Sequence, residues 1–175
     1  MKSDSVSTRV TIFNTIRNIP YKLRTSADDV DASCVTKHEQ LNTLLANEGY
    51  AVRNRIALYE WEKLPIPKNI LVLPHTKTWA HQYSEIFLDS EWTTIDATWD
   101  LKLKEVFTIN YWDGVTSTSL AVDPKFILSP EESEKWITTT ISEENINGSI
   151  SSHYDFVIAF NEWLASIRKK SALKF

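Results

Sequence analysis

The chain has 175 residues, 19 Lys and Arg against 23 Asp and Glu, and a single cysteine, Cys34. A chain of this length can bury one self-sufficient core, while one thiol excludes an intramolecular disulfide and zinc sites built on two or four cysteines. The mildly acidic balance carries no basic stripe for nucleic acid, and three glycines and six prolines spread along the chain argue against disorder or a fibrous repeat.

The opening MKSDSVSTRV lacks an apolar signal core, and no stretch approaches the roughly 20 consecutive apolar residues of a membrane span. The expectation is a single cytoplasmic domain, 1–175, with no membrane or nucleic-acid partner and its oligomeric state open. Asn147-Gly148-Ser149 matches a glycosylation pattern but reads as an Asn-Gly turn.

Val6, Val10 and Phe13, with Ile12, Ile16 and Ile19, recur at helical spacing and predict an amphipathic helix over 6–18, ending before Pro20. An acidic loop follows, with Asp28, Asp29 and Asp31. It lacks the central Gly and terminal Glu of a calcium loop and reads as solvated. A second helix is expected from Cys34 to Asn47, with Leu41, Leu44 and Leu45 facing inward and Gly49 stopping it. Residues 50–60 alternate as a strand, and 70–73 form a short apolar run. Residues 80–88 and 91–99 flank Asp89-Ser90 as a hairpin. Residues 106–112 suggest a further strand, closed by Asp113-Gly114, and 124–130 a loop or edge. Phe156, Phe160, Trp163, Leu164 and Ile167 mark a last helix closed by Arg168, Lys169 and Lys170. Helices, a central antiparallel sheet and a final helix describe an α+β domain.

Cys34 follows the capping residues Asp31 and Ser33, which puts it in the first turn of its helix. The unpaired N–H groups and positive dipole end there favour a thiolate nucleophile. The alternative is a small buried hydrophobe. A thiol nucleophile needs a base, and the base an orienting acceptor. His38 lies one turn from Cys34, on the helix flank, with no evident orienting group. His75 and His153 fall in a loop and at a helix start. His81 opens the hairpin. With a two-residue loop, Leu88 faces Glu91 and His81 faces Thr98, so Asp96 shares the face of His81 as a diagonal neighbour. Lys37 reads as a solvated helix residue. Most tryptophans (Trp61, Trp92, Trp99, Trp136 and Trp163) suit core packing, while Trp79, two before His81, is a groove candidate.

The segment from His81 through Glu85, Leu88, Trp92 and Asp96 to Thr98 resembles the His and Asp motifs of the transglutaminase-like superfamily, H-x-W-x-E-x-x-L followed by W-x-x-x-D-x-T. Cys34-Val35-Thr36-Lys37, then Leu41, Leu44-Leu45, Gly49 and Arg53, is similar to the family's cysteine-helix segment. The order Cys, His, Asp agrees, and the likeness spans roughly residues 28–100. Ala32, Val35 and Tyr83 stand where the family usually has Gly, an aromatic and Trp. The resemblance implies a papain-like α+β core, a cysteine-bearing helix packed on an antiparallel sheet between N- and C-terminal helices. It implies Cys34 as nucleophile, His81 as general base and then acid, and Asp96 as the residue orienting the imidazole.

The expected chemistry is thiol-dependent acyl transfer on an amide or peptide bond. A peptide or protein is the substrate, hydrolysis or deamidation is preferred to amine transfer, and no metal or organic cofactor is implied. The Cys34 N–H is one oxyanion donor and Tyr21 a candidate for the second. The alternatives are a non-catalytic peptide- or protein-binding module of the same fold, and a metal site built from His81, Asp96 and Asp100.

Overall fold

Helical periodicity and strand alternation separate in space as they do along the chain. The computed structural model describes residues 5–26, 28–29, 31–140 and 151–173. The Asn147-Gly148-Ser149 turn lies outside these. Helix α1 spans Ser5–Asn18 and α2 Cys34–Asn47. Strand β1 is Val52–Glu60, short helix α3 is Lys68–Leu71, β2 is Thr78–Leu88 and β3 is Glu91–Ile95. A two-residue strand β4, Phe126–Ile127, precedes α4, Pro130–Thr140, and α5, Tyr154–Ala172. The described residues thus form an α+β fold. Its curled antiparallel sheet has the order β3-β2-β1-β4.

The hairpin has the expected two-residue loop. Asp89 and Ser90 both have positive φ, 47° and 74°, the combination that matches the twist of the flanking strands. Leu88 therefore pairs with Glu91 and Ser84 with Ile95. Helix α2 ends where Gly49, at φ 87°, turns the chain so that Gly49 and Tyr50 donate back to Ala46 O and Leu45 O.

Two apolar clusters fix the layers. Phe13 and Ile16 of α1, Leu41 and Leu45 of α2, and Ile86 and Ile95 of the sheet form one, and α2 packs against both β1 and β2. Phe156, Phe160 and Leu164 of α5 form the other with Tyr59, Trp61 and Trp99. Trp61 lies 5.0 Å from Phe156 and 5.4 Å from Phe160, ring centre to ring centre. Each such side chain contributes roughly 1.5–3 kcal/mol of burial, and together they clamp α5 to the end of β1.

Several local expectations are corrected. The apolar run 70–73 falls on α3 and the turn that follows it. The second hairpin strand stops at Ile95, because Asp96 to Thr98 turn away into buried contacts. Residues 106–112 form no strand: Asn110 Nδ2 donates to Asp96 O and Ser119 O instead of taking part in a ladder. Phe126 and Ile127 do pair, with Leu58 and Ala57. Leu44 lies on the outer side of α2 and is exposed, and Arg168 folds inward to Asp100 at 2.6 Å instead of capping the last turn. Trp61, Trp99 and Trp112 are core residues, while Trp92 is exposed beneath the Arg53 guanidinium, 4.0 Å away.

Candidate active site

The local sequence places Cys34 at the first position of α2, after Ser33 in extended backbone. Asp31 organises this start. Its carboxylate accepts from the Ser33 N–H at 2.8 Å, the Ser33 hydroxyl at 3.0 Å and the Thr36 hydroxyl at 2.9 Å. The acid is thereby committed to the helix terminus, where negative charge is favoured. A bridge between Lys22 and Ala32 closes the preceding loop, and Asp29 is held by Lys22 at 2.6 Å. The Lys22 and Thr25 hydrogen bonds pull the Asp29 carboxyl down to about 2.

His81 sits inside β2, paired with Ala57 of β1. On its other side β3 ends opposite Ser84, three residues short of His81. Asp96 is the first residue past β3, and its Oδ2 meets His81 Nε2 at 2.7 Å. The strand-parity expectation thus gives the right contact, although Asp96 reaches His81 from beyond the ladder.

Both groups are almost wholly buried. Asp96 accepts two more hydrogen bonds, from the Ala121 N–H at 2.7 Å and the Thr98 N–H at 3.1 Å. Its own backbone is tied by the Thr118 hydroxyl and by Asn110 Nδ2, which also donates to Ser119 O. Residues 106–121, expected in part as a strand, are the clamp that fixes this carboxylate.

Burial alone would lower the His81 pKa. The Asp96 charge and hydrogen bond, with a further contribution from Cys34, outweigh it and push it up to about 10. Asp96, although burial opposes its ionisation, is held well below the usual carboxylate range by His81. Because Nε2 is engaged with Asp96, Nδ1 is the ring nitrogen left to face the Cys34 sulfur, whose proximity also favours the charged imidazole. Cys34, His81 and Asp96 thus lie in one line of contacts.

Tyr21 is buried beside them. Burial raises its hydroxyl pKa well above the ordinary value, the nearby Cys34 sulfur adds to this, and a hydrogen bond from the Cys34 backbone N–H opposes it. Tyr21 N also donates to Asp100 Oδ2 at 3.1 Å. The Asp100 carboxylate is occupied by Arg168 and does not join His81 and Asp96. Among the described residues no group of three or more His, Cys, Asp or Glu is arranged to hold a metal ion. Trp79 packs on Trp61 at 5.7 Å and lines a cleft that also reaches Cys34.

Two residues assigned to the helix surface prove to be interior. Lys37 is 1% exposed, and its ammonium donates to Arg17 O at 3.1 Å, Ile19 O at 2.8 Å and Thr98 O at 2.6 Å. All three N–H donors are used, so the end of α1 and the turn after Asp96 are tied to α2. Burial lowers its pKa to about 7.

His38 is fully buried, not on the flank. Its Nε2 accepts from the Ala97 N–H at 3.1 Å, which leaves Nδ1 as the protonated nitrogen, donating to Cys34 O at 2.8 Å. Burial drives its pKa down to about 4. The 3.6 Å approach of His38 Nε2 to Asp96 Oδ1 is therefore a contact of a neutral ring with a carboxylate, not an ion pair. The i, i+4 spacing of Cys34 and His38 was the signal that this side chain turns back on the cysteine turn.

No protein-family profile, curated protein or solved structure matches the chain.

Proposed function

We propose that the protein performs thiol-dependent acyl chemistry on amide or peptide bonds, with Cys34 as nucleophile, His81 as acid and base, and Asp96 holding the imidazole. The observation that carries this reading is the buried His81, bonded to Asp96 at 2.7 Å and in contact with the only thiol in the chain. A cysteine at the start of a helix packed on an antiparallel sheet, with the histidine and aspartate supplied by that sheet and its exit, supports a papain- and transglutaminase-like core. The order of the three residues along the chain supports the same reading.

In the proposed cycle Cys34 Sγ, as thiolate beside the His81 imidazolium, attacks the carbonyl carbon and forms the C–S bond. The oxyanion is met by the Cys34 N–H at the helix start, beside the buried Tyr21. His81 Nδ1 gives its proton to the leaving nitrogen as the C–N bond breaks. Neutral His81 then takes a proton from water as the hydroxide attacks the thioester. Expulsion of the thiolate releases the acid and restores the starting ion pair. Asp96 stays ionised throughout and keeps the ring oriented.

The test is capture of the acyl-enzyme. Incubation with p-nitrophenyl acetate should add one acetyl group to Cys34, read by intact mass and peptide mapping, and release nitrophenolate in a burst. Cys34→Ala should abolish the adduct and His81→Ala should slow it by about 100-fold or more. Equal acetylation rates in wild type and His81→Ala would overturn the proposal.

A further inference from the structure

A cleft of about 440 Å³ opens beside the nucleophile, a volume suited to a bulky side chain and its flanking backbone. Cys34 belongs to its wall, whereas His81 and Asp96 do not, so the cleft meets the line of three residues at its cysteine end. Its accessible wall is predominantly apolar. Val35 comes from α2, one residue past the nucleophile. Trp79 and Ala80 come from β2 just before His81, Trp136 from α4 and Val157 from α5. Polar groups also line it: the Asp31 carboxylate is held by Ser33 and Thr36, Gln82 Nε2 is directed at Val35 O, 3.5 Å away, and the buried Gln82 Oε1 and Arg24 Nε have no hydrogen-bond partner among the described residues.

A glutamine carboxamide carries two donors and a two-lone-pair acceptor. Placed against the apolar majority of these walls, it would lose hydration and find few partners beyond Gln82 Oε1 and Arg24 Nε. An aromatic or branched aliphatic group loses nothing polar and gains contact with two indole rings.

We propose that this cleft is the acyl-side subsite of the Cys34 centre and takes a large apolar side chain attached next to the carbonyl under attack. This rests on the thiol chemistry proposed above. It makes the substrate class a peptide amide that follows an aromatic or branched apolar residue, in preference to a glutamine side chain. Because Trp79 and Ala80 immediately precede His81 on β2, the strand that carries the proposed base also shapes this subsite.

The experiment compares alkylation of Cys34 by three probes: N-acetyl-phenylalanyl chloromethyl ketone, its glycyl counterpart, and the glutamine mimic 6-diazo-5-oxo-norleucine. Each chloromethyl ketone loses chloride, and the diazo ketone, protonated at its terminal carbon, loses dinitrogen, as the methylene carbon bonds to sulfur, so label stoichiometry is read by intact mass. Iodoacetamide, too small to need the cleft, runs in parallel on wild type and His81→Ala. The expected result is labelling by the phenylalanyl probe on the order of ten- to a hundredfold faster than by the glycyl one. That ratio should collapse in Ala80→Phe, whose ring occupies the cleft, with far-ultraviolet circular dichroism confirming the fold. Equal phenylalanyl and glycyl rates, or faster labelling by the glutamine mimic, with His81-dependent iodoacetamide reactivity intact, would overturn the subsite and leave the thiol chemistry standing. Iodoacetamide rates that His81→Ala leaves unchanged would overturn the thiol chemistry, and the subsite with it. A ratio that survives Ala80→Phe would place the selectivity outside this cleft and refute the assignment.

Discussion

Replacing Lys37 with methionine removes a charged tether joining α1, α2 and the turn after Asp96, while keeping a side chain of similar length. The Lys37 ammonium donates to Arg17 O, Ile19 O and Thr98 O at 2.6–3.1 Å. Each of these carbonyls would lose its charged donor, at a cost of about 1–3 kcal/mol where the group stays dry. Set against this is the desolvation of an ammonium, several kcal/mol, which the fall of its pKa to about 7 makes visible. The carbonyls belong to chain turns that cannot all rotate to water, so their loss wins, and Lys37→Met should destabilise the fold by roughly 2–4 kcal/mol. Urea unfolding followed by tryptophan fluorescence at pH 6, where the ammonium is charged, measures the difference. The slope of the transition should be unchanged and its midpoint lowered. A variant as stable as the wild type, or more stable, would show that the desolvation dominates and would refute the tether.

Asp96→Asn keeps the shape of the buried acid but removes the charge that holds the proton on His81. With burial then opposed by Cys34 alone, the imidazole should give up its proton far more readily. Cys34 acylation should fall by about 100-fold or more, and a rate unchanged within twofold would contradict the assigned role. His38 makes a prediction about acid stability. Its folded pKa is about 4 against an ordinary 6.5, so between these values the unfolded chain binds a proton that the folded chain does not. Stability should therefore fall as pH drops from 6.5 to 4. His38→Asn should flatten this part of the urea midpoint–pH profile, and an unaltered slope would show that another group sets it.

The parts of the fold legible in the sequence are those where one local rule acts alone. Leu41 and Leu45, with Gly49 after them, mark α2 and its end. Asp89-Ser90 admits the positive φ values of a two-residue turn, and that fixes the register bringing Asp96 to His81. What was not legible depends on convergence from distant segments. Lys37 reads as a solvated helix residue and His38 as a flank residue until the carbonyls of Arg17, Ile19 and Thr98 and the N–H of Ala97 come to meet them. Residues 106–112 carry strand-like aromatic and β-branched types, yet Asn110 is used to clamp the backbone of Asp96, and tertiary demand overrides local propensity. The cleft beside Cys34 is assembled from five elements and the loops between them, none of which signals it alone.

The central claim is that His81 and Asp96 activate the single thiol, and the most direct measurement is the rate of Cys34 alkylation by iodoacetamide between pH 5 and 10 in wild type and His81→Ala. With a proton held on His81 to about pH 10, the wild type should alkylate rapidly at pH 6, and His81→Ala should lose that reactivity and regain it only toward alkaline pH. A wild-type profile that rises only near pH 8.5, as for an ordinary thiol, and that the substitution leaves in place, would contradict the account.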